Sequence, residues 1–249
     1  AEIDLARSGS ASAYRGPDFR KPFARHFVPG YAADTKRLHD FPVFSGKYST
    51  FSYVDETVES MRELLRNNRS SAKDYFRKVK AMFFHRPYAH MPQHAIAFLF
   101  VRALAGGFHP ADEERERLAQ LCEQADIDLE GLLAEAKERP DLYGDLLDHK
   151  EARDPFPLSS RMASHLRKSP YFAELLDGRL SLGAETAMDF GNLYTAALPA
   201  WLAAGFEEAH AKRLPLTGQE LLCIGYGSGD AAEAFPLVPT ESWYDAAAA

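Results

Sequence analysis

A short apolar run, a polar loop and a buried helix follow one another in the first half of the chain. Residues 79–84 (Val-Lys-Ala-Met-Phe-Phe) have the length and composition of a buried strand. Pro87 cannot continue a strand ladder and disfavours helix at the residue before it, so His85 is expected where the strand becomes a loop. Pro92 starts the next element, and residues 94–105 have the pattern of a buried helix. This order predicts an α/β fold whose ligands gather at the carboxyl ends of strands.

Two further loops are predicted in the last quarter of the chain. Residues 221–224 (Leu-Leu-Cys-Ile) have the composition of a buried strand and run into residues 225–229 (Gly-Tyr-Gly-Ser-Gly). Three glycines in five residues let the backbone approach a ligand or another segment closely. Residues 191–195 (Gly-Asn-Leu-Tyr-Thr) form the second loop and precede a small-residue helix predicted over 196–209.

The rest of the chain is predicted to be mainly helical, apart from an N-terminal arm. Apolar residues spaced by three and four predict an amphipathic helix over 49–68, and the acidic stretch 110–151 predicts two or three surface helices. Residues 162–176 have a helical pattern that Pro170 interrupts. The first forty residues keep neither a helical nor a strand period for long, so an extended, largely irregular arm is expected there. Residues 243–249 have the pattern of the start of a helix or strand.

Length and composition exclude several classes of protein. The chain has 249 residues, of which 46% are hydrophobic and 26% charged, so it is neither collagenous nor wholly disordered. Its length allows one large domain or two small ones. No apolar run approaches the ~18 residues that span a bilayer, and the N-terminus lacks a signal-peptide layout, so we expect a soluble, cytoplasmic protein. Two cysteines are too few for a disulfide framework, which favours a reducing compartment.

The charges divide unevenly between the two parts of the chain. Residues 1–88 carry 16 basic and 10 acidic side chains, whereas residues 89–249 carry 13 and 26. The simplest interpretation is that most of these charges solvate the surface. Otherwise the division suits an anionic small ligand or a partner chain, because the basic residues occur as scattered pairs without a nucleic-acid recognition pattern.

The three loops together offer an imidazole, a side-chain amide, a hydroxyl and exposed backbone N–H groups. These are the groups that move protons and hold a developing oxyanion. A lone histidine before a proline, such as His85, is nevertheless more often an ordinary loop residue. Residues 225–229 match neither a P-loop nor a nucleophile elbow, so phosphate binding of that type is disfavoured.

Neither a metal site nor a cysteine nucleophile is predicted. His85, His90 and His94 suggest a metal cluster, but a proline separates the last two and no Cys or carboxylate stands nearby at ligand spacing. Cys223 lies in an apolar strand, where burial raises the thiol pKa and keeps it inert. Cys122, on an acidic helix, is equally poorly placed for catalysis.

Four segments, in order along residues 41–229, carry a family resemblance. Residues 84–88 (Phe-His-Arg-Pro-Tyr), 191–195 and 226–229 look like the Phe-His-x-Pro-Tyr, Gly-Asn-x-Tyr-Thr and Tyr-Gly-Ser-Gly segments of one family, and residues 41–49 resemble an earlier segment. That family is the 3-hydroxy-3-methylglutaryl-CoA (HMG-CoA) synthases of the thiolase superfamily. Any one of these segments would be a weak signal, whereas four in the same order are specific.

The resemblance implies the α/β class and a thiolase-like fold of layered α/β/α halves. Residues 1–249 would form the C-terminal half of that fold, with an inserted acidic helical segment. Its implied parts are an extended arm (1–48), an α/β segment with the His85 loop (49–109), a helical insertion (110–180) and the Gly-Asn and Gly-Ser-Gly loops (181–249).

The resemblance also implies an acyltransferase that condenses an acetyl group with a β-ketoacyl thioester. His85 and Asn192 correspond to the family's catalytic histidine and asparagine, which hold the acetoacetyl thioester. The implied substrate-binding residues are Tyr88, His90, Tyr194, Gly227 and Ser228. The substrates would be thioesters of coenzyme A or of an acyl-carrier protein. No permanently bound cofactor is implied, and a dimeric assembly is expected.

The family's nucleophilic Cys and general acid/base Glu have no counterpart in the first forty residues. We therefore expect an N-terminal half, on a separate chain or a missing segment, to supply both. Two positions depart from the family pattern: Ser45 stands where Asp is usual, and His90 stands where Lys is common. The missing nucleophile also leaves open a non-catalytic thiolase-like module that binds a partner or an acyl thioester.

Overall fold

The computed structural model describes residues 1–12, 46–88, 90–106, 112–138, 154–176, 178–191, 193–227 and 230–248. The helices among them are α1 (Gly46–Asn67), α2 (Ala72–Lys78), α3 (Met91–Gly106), α4 (Asp112–Ala125), α5 (Leu129–Lys137), α6 (Pro157–Leu166), α7 (Pro170–Leu176), α8 (Ala184–Asp189), α9 (Ala197–Ala211) and α10 (Trp243–Ala247). The strands are β1 (Glu2–Ile3), β2 (Gly9–Ser12), β3 (Ala81–Phe84), β4 (Leu221–Gly227) and β5 (Ala231–Val238). Single turns of 3-10 helix occur at Leu5–Arg7 and Tyr194–Ala196.

The strands form one sheet in the order β1-β5-β4-β3, with β2 also paired to β5. β3 runs parallel to β4, with Ala81 opposite Leu221, and β4 runs antiparallel to β5. The parallel pair confirms the predicted strand–loop–helix unit, because β3 leads through the His85 loop into α3. Residues 95–101 of α3 are almost completely buried, as the apolar pattern predicts.

The described part of the N-terminal arm is more regular than predicted. β1 pairs with Leu237 and Val238, and β2 pairs with residues 231–234, so both lie along the same edge of β5. Between β1 and β2 the arm leaves the sheet at a place opposite Pro236. Proline has no backbone N–H to donate, so it cannot form a full set of strand hydrogen bonds there. The prediction of a largely irregular arm is therefore wrong for residues 1–12, while residues 13–45 lie outside the described part.

A buried carboxylate anchors this arm to the rest of the molecule. Glu220, whose side chain is 8% exposed, accepts hydrogen bonds from Arg7 Nη2 at 2.6 Å and Lys78 Nζ at 2.9 Å. Burial alone would raise the pKa of Glu220, but these two hydrogen-bonded cations outweigh it and lower the pKa. Arg7 also donates from Nε to Asn68 Oδ1 at 2.7 Å, so the arm is tied to the end of α1 as well.

Helices cover both faces of the sheet. Tyr226 packs its ring against Tyr53 of α1, with ring centroids 5.2 Å apart. A Cβ at the preceding residue, Gly225, would lie 3.9 Å from Leu198 Cδ2 of α9. Successive residues of a strand face opposite sides of a sheet, so α1 and α9 lie on opposite faces. The result is the α/β/α layering that the family resemblance implies.

Most predicted helices are confirmed, with small shifts at their ends. α1 ends at Asn67, α7 begins at Pro170, and α4 and α5 supply the expected acidic helices. The prediction of a loop is wrong for residues 225–227, because these residues continue β4. The remaining two residues of the predicted loop, 228 and 229, lie outside the described residues. No helix in the described parts of the chain is both long and apolar enough to cross a membrane.

Candidate functional site

His85 lies immediately after β3, at the carboxyl end of the parallel strand pair. Its backbone N–H donates to Ile224 O at 2.7 Å and so extends the β3–β4 pairing by one residue. The hydroxyl of Tyr53, on α1, donates to His85 O at 2.9 Å. Both backbone groups are thus satisfied, which fixes the imidazole at the strand end that the sequence predicts.

Two tyrosines border the His85 ring. The ring centroids of Tyr53 and Tyr226 lie 6.4 Å and 6.0 Å from the centroid of the imidazole. Tyr226 is held in turn by its hydroxyl, which donates to Asp230 Oδ1 at 3.0 Å. Asp230 is nearly buried and has a positive φ of 56°, so it sits at the tight end of the β4–β5 hairpin. The imidazole therefore lies beside two tyrosine rings.

The surroundings of His85 favour its neutral form. Burial lowers the pKa of His85, and a hydrogen bond to the backbone of Tyr194 offsets part of that shift. A backbone bond that raises a histidine pKa has the ring N–H as donor, so the acceptor is the Tyr194 carbonyl. In the neutral ring the other nitrogen is then a hydrogen-bond acceptor. His85 can take up a proton at that nitrogen and afterwards donate from it.

The loop before α9 reaches His85 through this backbone contact. Tyr194 has a positive φ of 52° and a side chain that is 76% exposed. Gly191, at a φ of 67°, begins the loop in the left-handed region that glycine adopts without strain. The structure thus brings the His85 loop and the 191–195 loop together, with Tyr226 of the third predicted segment beside them. It places the Tyr194 backbone, more than its side chain, at the imidazole.

The other predicted site residues are distributed unevenly. Gly227 ends β4 and pairs with Ala231. It directly follows Tyr226, whose ring borders the His85 ring. Tyr88 is exposed, and His90 lines a separate pocket whose lining does not include His85. Asn192 and Ser228 lie outside the described residues, so their catalytic and binding roles stay predictions.

Both cysteines of the chain are buried, which was predicted for Cys223 only. Cys223 lies in β4 with no exposed surface, and burial raises the pKa of its thiol to about 12. Cys122 on α4 is 2% exposed, and burial raises its pKa too. Neither thiol can present a thiolate to a substrate near neutral pH. Within the described residues, no group of three or more His, Cys, Asp or Glu side chains is arranged to hold a metal ion.

Tyr53 and Asp230 are site residues that the sequence reasoning missed. Tyr53 is buried on α1, four residues before Thr57 and eleven before Leu64. Leu64 belongs to the apolar stripe predicted for this helix from residues 51, 54, 58, 61, 64 and 65, so helical spacing offered a signal for Tyr53. Asp230 had no such signal, because its role depends on the hairpin between β4 and β5.

Comparison with solved structures decides the fold. The chain aligns over 99% of its length with MvaS in complex with 3-hydroxy-3-methylglutaryl coenzyme A, at a TM-score of 0.60 and 20% identity. It aligns equally completely with the HMG synthase of the curacin biosynthetic pathway (TM-score 0.52, 17% identity) and with PksG, an HMG-CoA synthase from Bacillus subtilis (0.51, 14%). The chain has the fold of part of an HMG-CoA synthase.

This HMG-CoA synthase-like fold confirms the thiolase-like architecture that the four segments imply. The chain covers 44% of the MvaS structure and 40% of the other two, so it spans less than half the length of these synthases. No protein-family model matches the sequence, and no curated protein matches it.

Proposed function

We propose that this chain is the C-terminal part of an HMG-CoA-synthase-like acyltransferase. In the complete enzyme an acetyl group would be condensed with a β-ketoacyl thioester. The observation that carries the proposal is the placement of His85. A half-buried imidazole with a lowered pKa ends a parallel strand in a fold shared with HMG-CoA synthases.

His85 is proposed to serve the condensation as a proton carrier. Its neutral ring keeps one N–H on the Tyr194 carbonyl, so the second nitrogen accepts a proton during the reaction. Once protonated, that nitrogen donates to the oxygen of the bound thioester or of the alkoxide formed from the ketone. Asn192 is proposed to hold the same acyl group, with Tyr88, His90, Tyr194, Gly227 and Ser228 as further contacts.

The nucleophile must come from outside this chain. Condensation of the proposed type needs a thiolate to take the acetyl group and a carboxyl group to remove a proton from it. Neither buried cysteine meets the first requirement. We propose that an N-terminal half, on a separate polypeptide or in a longer form of this one, supplies the Cys and the Glu.

Exposed apolar side chains around the His85 loop support such a partner. The exposed large hydrophobic residues in the His85 loop and in the loop before α9 are Tyr88, Leu193 and Tyr194. Apolar surface gathered at one place marks protein interfaces more often than single exposed residues do. A dimeric assembly, and the division at residues 48, 109 and 180, are parts of the same proposal.

The substrate carrier is proposed to be coenzyme A or an acyl-carrier protein. One structural neighbour is described as a complex with HMG-CoA, and the curacin synthase also as a complex with apo donor-ACP. The chain is proposed to need no permanently bound cofactor, since the thioester supplies the activated carbon.

Thioester binding to the chain with its partner half tests the site. Calorimetric titration with acetoacetyl-CoA is expected to show binding that His85→Ala weakens by about tenfold, the loss of one good hydrogen bond. The matched control is His165→Ala, which removes an imidazole from a different part of the fold. His165 lies on α6, and that helix packs against α3, α4 and α5. Equal binding by the His85→Ala and wild-type proteins would contradict the assignment.

A non-catalytic module is the second candidate function. The burial and raised pKa of both thiols favour it, because the chain alone holds no reactive cysteine. Thioester binding without acetyl transfer in every reconstituted complex would support this alternative. Acetyl transfer in any such complex would eliminate it.

A further inference from the structure

The pocket that His90 lines lies beside the carboxyl end of β3, apart from the His85 ring. Its volume is about 370 Å³, within the range of small-molecule sites. Arg86 and Trp201 lie in its lining, whereas His85, Tyr53 and Tyr226 do not. Of the described residues that are proposed for the condensation, only His90 lies in this lining.

The Arg86 side chain turns away from the His85 site. His85 faces the tyrosines of α1 and β4, whereas the Arg86 Cζ atom lies 4.7 Å from the ring centroid of Trp201 on α9. Arg86 Nη1 also donates to Ala184 O of α8 at 3.2 Å. Neighbouring side chains of an extended segment point to opposite sides, so the two residues serve different faces of the sheet.

The guanidinium of Arg86 has no acidic partner in the described part of the chain. No ion pair joins it to a described carboxylate, and the described residues of the pocket lining include no Asp or Glu. Glu185 of α8 interacts electrostatically with Lys212. Arg86 has five N–H donors and uses one in the bond to Ala184. A partly buried cation with free donors is stabilised by an anion that reaches it.

The rest of the lining is amphipathic. Apolar walls come from Leu176, Leu180 and Met188, and the Trp201 ring forms part of the floor beneath the guanidinium. Gln93, at the start of α3, adds a polar amide, and His90 and Ser181 add two further polar side chains. One positive group among apolar walls suits a ligand with one negative group on an apolar body.

We propose that this Arg86 pocket binds a small organic carboxylate of about eight heavy atoms in total, most of them apolar. The carboxylate pairs with the Arg86 guanidinium, and the apolar body lies against Trp201, Leu180 and Met188. Apart from His90, the described lining shares no residue with the proposed thioester site, so this inference stands whether or not the chain forms part of a condensing enzyme.

Trp201 fluorescence reports on this pocket directly. The chain has two tryptophans, so Trp243→Phe leaves Trp201 as the sole reporter. Hexanoate is expected to change its emission saturably at millimolar concentration or below, and 1-hexanol, the neutral analogue, to bind at least tenfold more weakly. Inorganic phosphate tests the charge without the apolar body and is also expected to bind more weakly. Ligand-observed NMR on the unaltered chain provides the same comparison without the tryptophan substitution.

Two variants and one control complete the test. Arg86→Gln is expected to weaken hexanoate binding at least tenfold. Gln93→Glu brings a negative charge to the pocket in an exposed, isosteric change at the start of a helix, where an acid is tolerated, and is also expected to weaken it. Arg115→Gln on the exposed face of α4 removes an arginine elsewhere and should leave binding unchanged. Unchanged binding in both Arg86→Gln and Gln93→Glu, or equal binding of hexanol, would overturn the proposal, as would the absence of saturable hexanoate binding.

Discussion

At the scale of single residues, the site depends on how His85 is held. Its backbone is bonded to Ile224 and Tyr53, and its ring to the Tyr194 backbone. The sequence predicts the position of His85, because a proline two residues later ends the strand. It does not predict Tyr53, since that contact requires α1 to cross the sheet at one particular place.

The titration of His85 is the prediction at this scale. Burial lowers its pKa, so NMR of the imidazole should give a value below the roughly 6.5 of an unfolded histidine. The same residue measured in urea serves as the reference. A folded-state pKa equal to or above the value in urea would contradict the described surroundings.

The sign of the effect on stability follows from the same shift. The unfolded chain binds the proton more readily, so the stability from a neutral His85 is present above about pH 6.5 and is lost as the pH falls through the folded pKa. His94, whose pKa is lowered by burial and by Arg167 and His90, contributes with the same sign. The denaturant midpoint should therefore fall on acidification below pH 6.5.

At the scale of elements, β2 is held unusually close to α1. A Cβ added at Gly9 would overlap the backbone of Ser60 and Leu64 in α1. Gly9→Ala should therefore destabilise the fold by about 1–3 kcal/mol, the usual cost of overpacking. Urea unfolding measures this, with Ser10→Ala on the same strand as the control, because Ser10 is exposed. Equal midpoints for the two variants would show that the arm does not pack on α1 as described.

The strands show where sequence reasoning reaches its limit. β3 and the start of β4 were predictable because their apolar runs are buried on both faces. β5 begins Ala-Ala-Glu-Ala and contains Pro236, residues that favour helix or break a strand, so its extended form comes from pairing with β4 on one side and the arm on the other. The same pairing holds Gly225 and Gly227 in β4, where glycine content alone predicts a loop.

At the scale of the whole molecule, the four short segments predicted more than the composition did. Length and net charge excluded classes of protein, whereas the ordered segments around His85, Asn192 and Ser228 pointed to the fold shared with HMG-CoA synthases. The roles of Asn192 and Ser228 stay predictions, since both lie outside the described residues. The nucleophile was not predictable from this chain, because both of its thiols are buried.

The proposed function makes this chain the proton-handling half of a condensing enzyme. The most direct measurement is condensation of acetyl-CoA with acetoacetyl-CoA by this chain co-expressed with a candidate N-terminal half that carries Cys and Glu. We expect turnover only when both halves are present, and a kcat/KM about 100-fold or more lower with His85→Ala, the usual effect of losing a positioned acid–base group. Full turnover by the complex with His85→Ala would contradict the account.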